Sequence, residues 1–141
     1  MLEGEETKVA VFKVGPNDCG IYIKDILEII KVPQIKVLPR AQNYILGVIN
    51  LRGSIIPILD LKKRYLDEFT KIGYDTRIII SQIDEKKIGF LVDEVSEIIE
   101  FQEETITNTR ELLTTVDNEF LEGIAEMDNQ LVLLLNIKKA V

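Results

Sequence analysis

The sequence predicts a mainly β fold assembled from two related halves, and three observations carry that expectation. The 141 residues include 22 Ile and 11 Val against 4 Ala. β-Branched side chains lose rotamer freedom on a helix but pack well on a pleated sheet. Short apolar runs alternate with clusters of Gly, Pro, Asn and Asp, the punctuation of strands and hairpins. The same pattern then occurs a second time, in register.

Thr7 to Val14 reads as the first strand, with Val9 and Val11 on one face. Gly15-Pro16-Asn17-Asp18 is a concentrated turn, and Cys19 to Ile23 returns as the second strand. Asp25 to Ile30 holds a short helical turn before Ile29 and Ile30 resume extended chain, and Pro33 and Pro39 bracket a loop. Gly47 to Leu51 and Ile55 to Leu61 form a pair of apolar strands around Arg52-Gly53-Ser54. Gly53 tolerates the positive φ that a tight hairpin demands. Pro57 cannot donate a ladder hydrogen bond, which implies an edge position or a bulge. Lys62 to Tyr74 is polar and reads as a short helix and connector.

From Thr76 the pattern restarts. Thr76 to Ile99 aligns with Thr7 to Ile30 without a gap at an offset of 69, so that Gly20 meets Gly89 and Glu28-Ile29-Ile30 meets Glu97-Ile98-Ile99. Gly47 to Arg64 aligns with Gly123 to Ala140 at an offset of 76, where Leu59 meets Leu135 and Lys62-Lys63 meets Lys138-Lys139. The growth of the offset places a seven-residue insertion between Ile99 and Gly123. Thr105, Thr107, Asn108, Thr109, Thr114 and Thr115 suit a surface loop there. The subdomains run over about 7–65 and 76–141 with a linker at about 66–75, an exchange of strands between them being left open. At roughly 65 residues neither half commands a generous core alone. Two small barrels sharing an apolar seam would bury more surface and remove sheet edges.

Composition narrows the function. Hydrophobic residues make up 46% and charged residues 29%, a globular balance. The formal net charge of −7 disfavours nucleic acid and anionic lipid as partners. No apolar run approaches the ~20 residues of a membrane span, and Met1 to Glu6 has no signal core. A soluble cytoplasmic protein is expected. Without histidine the commonest general base and metal ligand are missing. Cys19, the one cysteine, lacks a histidine to activate it and reads as a packing residue. The carboxylates Glu94 and Glu97, Glu103 and Glu104, Asp117 and Glu119 read as a solvated face. A hydrolase would need two of them at a defined separation. Gly47 to Gly53 lacks the Lys-Ser/Thr ending of a phosphate loop. No catalytic residue, metal or cofactor is expected.

The most informative stretch is Gly47-Val48-Ile49-Asn50-Leu51-Arg52-Gly53-Ser54-Ile55-Ile56-Pro57-Ile58-Leu59-Asp60-Leu61. A polar Asn-x-Arg-Gly set between two apolar strands exceeds what core patterning requires. A charge at a hairpin tip is otherwise a solvated one. This stretch resembles the signature of CheW, the bacterial chemotaxis coupling protein. Gly89-Phe90-Leu91-Val92-Asp93-Glu94-Val95 and the terminal Leu131 to Ile137 also match that family, and the resemblance runs from about Thr7 to the end.

The resemblance implies two SH3-like, five-stranded barrels around a common hydrophobic core, with short helices. It implies a non-enzymatic adaptor without cofactor. Such an adaptor bridges the cytoplasmic hairpin tip of chemoreceptors to the regulatory domain of the histidine kinase CheA, at membrane-associated arrays, and self-association in rings is a further option. Family receptor contacts fall on Glu28, Arg52 and Gly89 in a groove between the barrels, with Ile26, Val95 and Ile98 as apolar neighbours. For those three apolar residues the other reading is shared core. Ile45, Leu46 and the Thr-rich insertion are candidates for the kinase surface. Arg52 would offer donors to carboxylates or carbonyls at the receptor tip. The alternatives are a CheW-like regulatory module of a kinase or of another signalling protein, and a carboxylate-pair hydrolase. Because the chain begins at Met1 and ends soon after the last repeat strand, an added receiver or catalytic domain is not expected.

Overall fold

The computed structural model describes residues 8–39, 41–101, 106–107, 121–127 and 129–141. In chain order these form β1 (Lys8–Val14), β2 (Asn17–Tyr22), a 3-10 turn (Ile23–Asp25), β3 (Ile26–Lys31), β4 (Ile45–Leu51), β5 (Ser54–Asp60) and helix α1 (Leu61–Leu66). There follow β6 (Arg77–Ile83), β7 (Lys86–Val92), β8 (Glu94–Glu100), β9 (Ile106–Thr107), β10 (Leu121–Met127), β11 (Gln130–Leu135) and helix α2 (Ile137–Ala140). The fold is mainly β with short helices. Thr7 and, from the expected surface loop, Thr105, Asn108, Thr109, Thr114 and Thr115 lie outside the described residues.

The repeat registers are visible strand by strand. Moved by 69, β1 becomes β6 end for end; moved by 76, β4 becomes β10. Even the irregularities repeat. The β4–β5 register shifts between Ile45 and Gly47, and the β10–β11 register shifts between Leu121 and Gly123. At the first of these shifts a side chain on Gly47 would collide with the Lys36 carbonyl, so only glycine allows the two backbones to approach.

Two compact units result: Met1–Lys24 with Ser96–Val141, and Asp25–Val95. One sheet runs β8-β1-β2-β11-β10-β9 and the other β3-β6-β7-β5-β4. The compact units thus differ from the sequence halves 7–65 and 76–141, because each sheet takes a hairpin from one half and its remaining strands from the other. The 3-10 turn redirects the chain after β2, so β3 pairs with β6 through Glu28↔Ile80 and Ile29↔Ile79. The inserted hairpin meets its host in parallel at equivalent points, Ile58↔Gly89 in one unit and Leu134↔Gly20 in the other. The two-residue β9 adds a sixth strand to the first sheet by pairing with Ile124 and Ala125.

Each unit closes on its own core. Val9, Val11, Ala125, Val132 and Leu134 are buried in one. Their repeat counterparts Ile78, Ile80, Ile49, Ile56 and Ile58 are buried in the other. Each Val, Leu or Ile among these removed from water stabilises by about 1.5–3 kcal/mol, and the Ala125 methyl by less, so these ten positions anchor both sheets. Cys19 is buried and unpaired to any disulfide. Burial pushes its thiol up to about 12, with the neighbouring Asp18 charge adding to the shift, so in the folded chain it is a packing residue, and its thiol is open to reaction only while the hairpin is out of its sheet.

Pro57 departs from its expectation. It lies inside β5, an interior strand, opposite Val48. The N–H and C=O of Val48 both face the other way, to Lys36, at 2.9 and 2.8 Å. The Val48–Pro57 pair is therefore a non-hydrogen-bonded one, and its missing donor breaks no bond to β4. On the far side, pairing with β7 begins only at Ile58. Proline is tolerated because the ladder has no bond at that point.

Candidate functional site

The Asn-x-Arg-Gly motif forms the hairpin between β4 and β5. Leu51 pairs with Ser54, leaving Arg52 and Gly53 as a two-residue loop with φ of 49° and 89°. Positive φ at both centres is the requirement of a type I′ turn, whose twist matches that of the flanking strands. Asn50 Oδ1 accepts the Gly53 N–H at 3.0 Å, which holds the loop closed. Arg52 occupies the left-handed region without being glycine, at about 1–2 kcal/mol of backbone strain. The turn thereby presents a long cation at its tip.

β3 supplies the second component. Its burial alternates, with Leu27, Ile29 and Lys31 outward and Ile26, Glu28 and Ile30 half-buried. Glu28 forms an ion pair with Arg52 Nη2 through its Oε2. The two residues lie 24 positions apart in sequence and on elements at opposite edges of the sheet. Lys36, on the segment after β3, pairs with Val48 on the outer edge of β4, so the same sheet is also bridged by backbone. Arg52 is 69% and Glu28 33% exposed at the side chain. A pair this wet contributes only about 0–1 kcal/mol. It orients the guanidinium and stabilises the fold little.

Apolar side chains share these elements. Leu27 is 50% exposed and Ile29 37% on β3, and Ile55, just past the turn, is 64% exposed. Beside the hairpin an open groove of ≈ 770 Å³ is lined by Pro33, Lys36, Val48, Asn50 and Ile55 among others. Leu27, Ile29 and Ile55 were missed in the sequence. For Leu27 and Ile29 the available signal was Lys31 at the same alternation, which marks their face of β3 as the outward one.

The remaining expected site residues are dispersed. Ile26 opens β3, half-buried, beside the register shift to Glu28. Val95 is half-buried in β8. Ile98 is 62% exposed, so shared core does not account for it, and it belongs to the unit of Ser96–Val141. Gly89 is the most deeply placed of the set. It is buried in the middle of β7, and a side chain there would meet Ile58 Cδ1 at 2.6 Å and Ile78 Cγ2 at 2.7 Å. It lets core side chains lie against the strand. Ile45 and Leu46 are half-buried, and Leu46 packs on the Ile49 cluster, which turns part of it inward.

The acidic pairs do not converge among the described residues. Glu94 and Glu97 stand three apart on β8 and so point to opposite faces. Glu103, Glu104, Asp117 and Glu119 lie outside the described residues. Asp60, a fully buried carboxylate, is engaged structurally. It caps α1 by accepting from the Lys62 and Lys63 N–H at 3.1 and 3.3 Å, and it holds Thr70 through N–H and Oγ1 at 2.8 and 2.7 Å. Among the described residues no three His, Cys, Asp or Glu side chains gather as a metal site, and no helix is long and apolar enough to cross a membrane.

Comparison with known proteins agrees with this architecture. A family model described as the CheW-like domain matches residues 8–141. The chemotaxis protein CheW of Treponema pallidum is 29% identical over 98% of this chain and 84% of its own length. That of Bacillus subtilis is 32% identical over 92% of this chain and 83% of its own length. The crystal structure of the scaffolding protein TtCheW from Thermoanaerobacter tengcongensis superposes with a TM-score of 0.83 at 36% identity, covering 94% of this chain and 85% of that one. With the duplicated barrels, the Asn-Leu-Arg-Gly hairpin and a family match spanning nearly every residue, the chain belongs to the CheW-like family of chemotaxis adaptor proteins.

Proposed function

We propose that this chain is a cytoplasmic coupling adaptor, free of catalysis and cofactor, that joins chemoreceptor hairpin tips to the regulatory domain of the histidine kinase CheA in membrane-associated arrays. The observation that carries the reading is the Arg52–Glu28 pair. Two residues singled out separately on the family pattern meet at the β4–β5 turn with the exposed Ile55 beside it, while the exposed Leu27 and Ile29 lie on the alternate face of β3. A receptor tip is a helical hairpin, and such a partner buries apolar side chains while offering carboxylates and carbonyls at its end. Arg52 serves the polar part of that contact. Its bond to Glu28 is weak enough to be shared with a carboxylate of the partner or exchanged for it.

Ile26 and Val95 act as apolar support on the receptor side, and Ile98 as a further exposed contact on the other unit. Ile45 contributes to the kinase side more readily than Leu46, whose side chain is partly committed to the core. The test is binding of the purified chain to an assembled receptor cytoplasmic fragment and, separately, to the kinase regulatory domain, at low salt. Binding to both is expected. Failure to bind either partner defeats the coupling role, and binding to one alone reduces the chain to a module of that partner.

A further inference from the structure

Hairpin β1–β2 sits in the middle of its sheet, between β8 and β11, yet it lies far from both in sequence. Both of its faces are buried: Val9, Ala10, Val11 and Phe12 are each 0% exposed. The unit it completes is discontinuous, Met1–Lys24 with Ser96–Val141, whereas the other unit, Asp25–Val95, is one continuous stretch. During synthesis the hairpin emerges first and must wait until β11 has been made. At 5–20 residues per second that interval is on the order of ten seconds. An isolated two-stranded hairpin is marginally stable in water, so until first β8 and then β11 follow it is an apolar ribbon without its complete sheet. The link to the next unit is the 3-10 turn Ile23–Asp25, which buries none of its residues.

The architecture also shows that such a hairpin accepts a host from elsewhere. Hairpins β1–β2 and β6–β7 each enter a sheet made by the other repeat, meeting it at the equivalent pairs Leu134↔Gly20 and Ile58↔Gly89. This is the connectivity that two copies of a single repeat would have after exchanging hairpins. We propose that the whole chain retains this capacity: two copies exchange their β1–β2 hairpins reciprocally, with Ile23–Asp25 as the hinge, to form a strand-swapped dimer. Every contact of the hairpin with β8, β11 and the Val9 core is remade between chains, and only the hinge changes conformation. Exchange of an identical element is a route to dimers that demands little new interface. Because both faces of the hairpin are buried, exchange requires opening of the discontinuous unit. It occurs during folding, and monomer and dimer do not interconvert once folded.

The test uses the native Cys19, which lies opposite Leu133 across the β2–β11 pairing. Unmodified full-length chain, which has Cys19 and no second thiol, is refolded together with a Cys19→Ser/Leu133→Cys chain carrying a mass tag, in a glutathione redox couple. Neither chain can form an internal disulfide. The expected result is a dimer fraction that rises with chain concentration during refolding. It carries a mixed-chain 19–133 disulfide at least tenfold above a control with Glu85→Cys in place of Leu133→Cys. Refolding that yields only monomer at high concentration overturns the proposal. So does a dimer in which the 19–133 link is no more frequent than the control. Preserved strand content by circular dichroism in each singly tagged chain separates these outcomes from misfolding.

Discussion

Replacing Arg52 by Glu separates the fold from the binding face. In the structure Arg52 projects from a type I′ hairpin, 69% exposed, and is ion-paired to Glu28. Removing that pair forfeits about 0–1 kcal/mol. The new carboxylate beside Glu28 adds repulsion of about 1 kcal/mol for charges ~4 Å apart in a water-like dielectric. Backbone strain at φ 49° is unchanged, since neither residue is glycine. The sum is about 1–2 kcal/mol against a typical total of 5–15, so the protein stays folded with a melting temperature lowered by roughly 2–8 °C. Receptor binding loses a charge-assisted hydrogen bond, about 1.5–3 kcal/mol, or roughly ten- to hundredfold in affinity. Calorimetric titration against a receptor fragment, alongside thermal melts, reads both quantities. Unchanged affinity in a folded Arg52→Glu protein refutes the role of Arg52. A Glu28→Arg/Arg52→Glu exchange sharpens the result: it restores the ion pair and some stability, and it should not restore binding. If it does, the pair itself is what the partner recognises.

Three further outcomes follow from packing and charge. Gly89→Ala drives a methyl group against Ile58 and Ile78, and should destabilise by about 1–3 kcal/mol in urea unfolding; a neutral effect would show that the core yields there. Asp60→Ala removes the α1 cap and both bonds from Thr70, an expected loss of about 2–4 kcal/mol, and faster amide exchange at Thr70 should report its release. Lys13 bonds Asp18 at 2.5 Å and, as the main cause, holds that carboxyl below the usual range, with Gln130 assisting at 3.1 Å. Because the folded value lies below the unfolded one, the stability from this group is fully present above about pH 4 and is lost as pH falls through the folded value. Lys13→Met should flatten that part of the acid limb, and an unchanged limb would assign the loss to other carboxylates.

Much of this molecule is legible without coordinates because its information is local. β-Branched composition, turn residues at fixed offsets and the two gapless registers place the strands, and the structure reproduces the registers down to paired bulges at Gly47 and Gly123. The hairpin at Arg52-Gly53 is equally local, since positive φ and the Asn50 bond depend on adjacent residues. Association between distant segments was not legible. Nothing in the sequence says which hairpin enters which sheet, because Gly20 and Gly89 and the apolar residues around them suit either host, so the exchange of strands is decided only by three-dimensional pairing. Gly89 illustrates the same point: its match to the family is clear, but that it is buried between Ile58 and Ile78 depends on a parallel neighbour more than thirty positions away. Pro57 also depended on tertiary structure, because a non-hydrogen-bonded position in an interior strand cannot be told from an edge without the ladder on both sides. The sequence by itself determined that this protein is a duplicated β adaptor of the CheW-like family. Only the tertiary structure decided that Arg52 meets Glu28 and that each half completes the other, since contact across dozens of residues is settled by packing and not by periodicity.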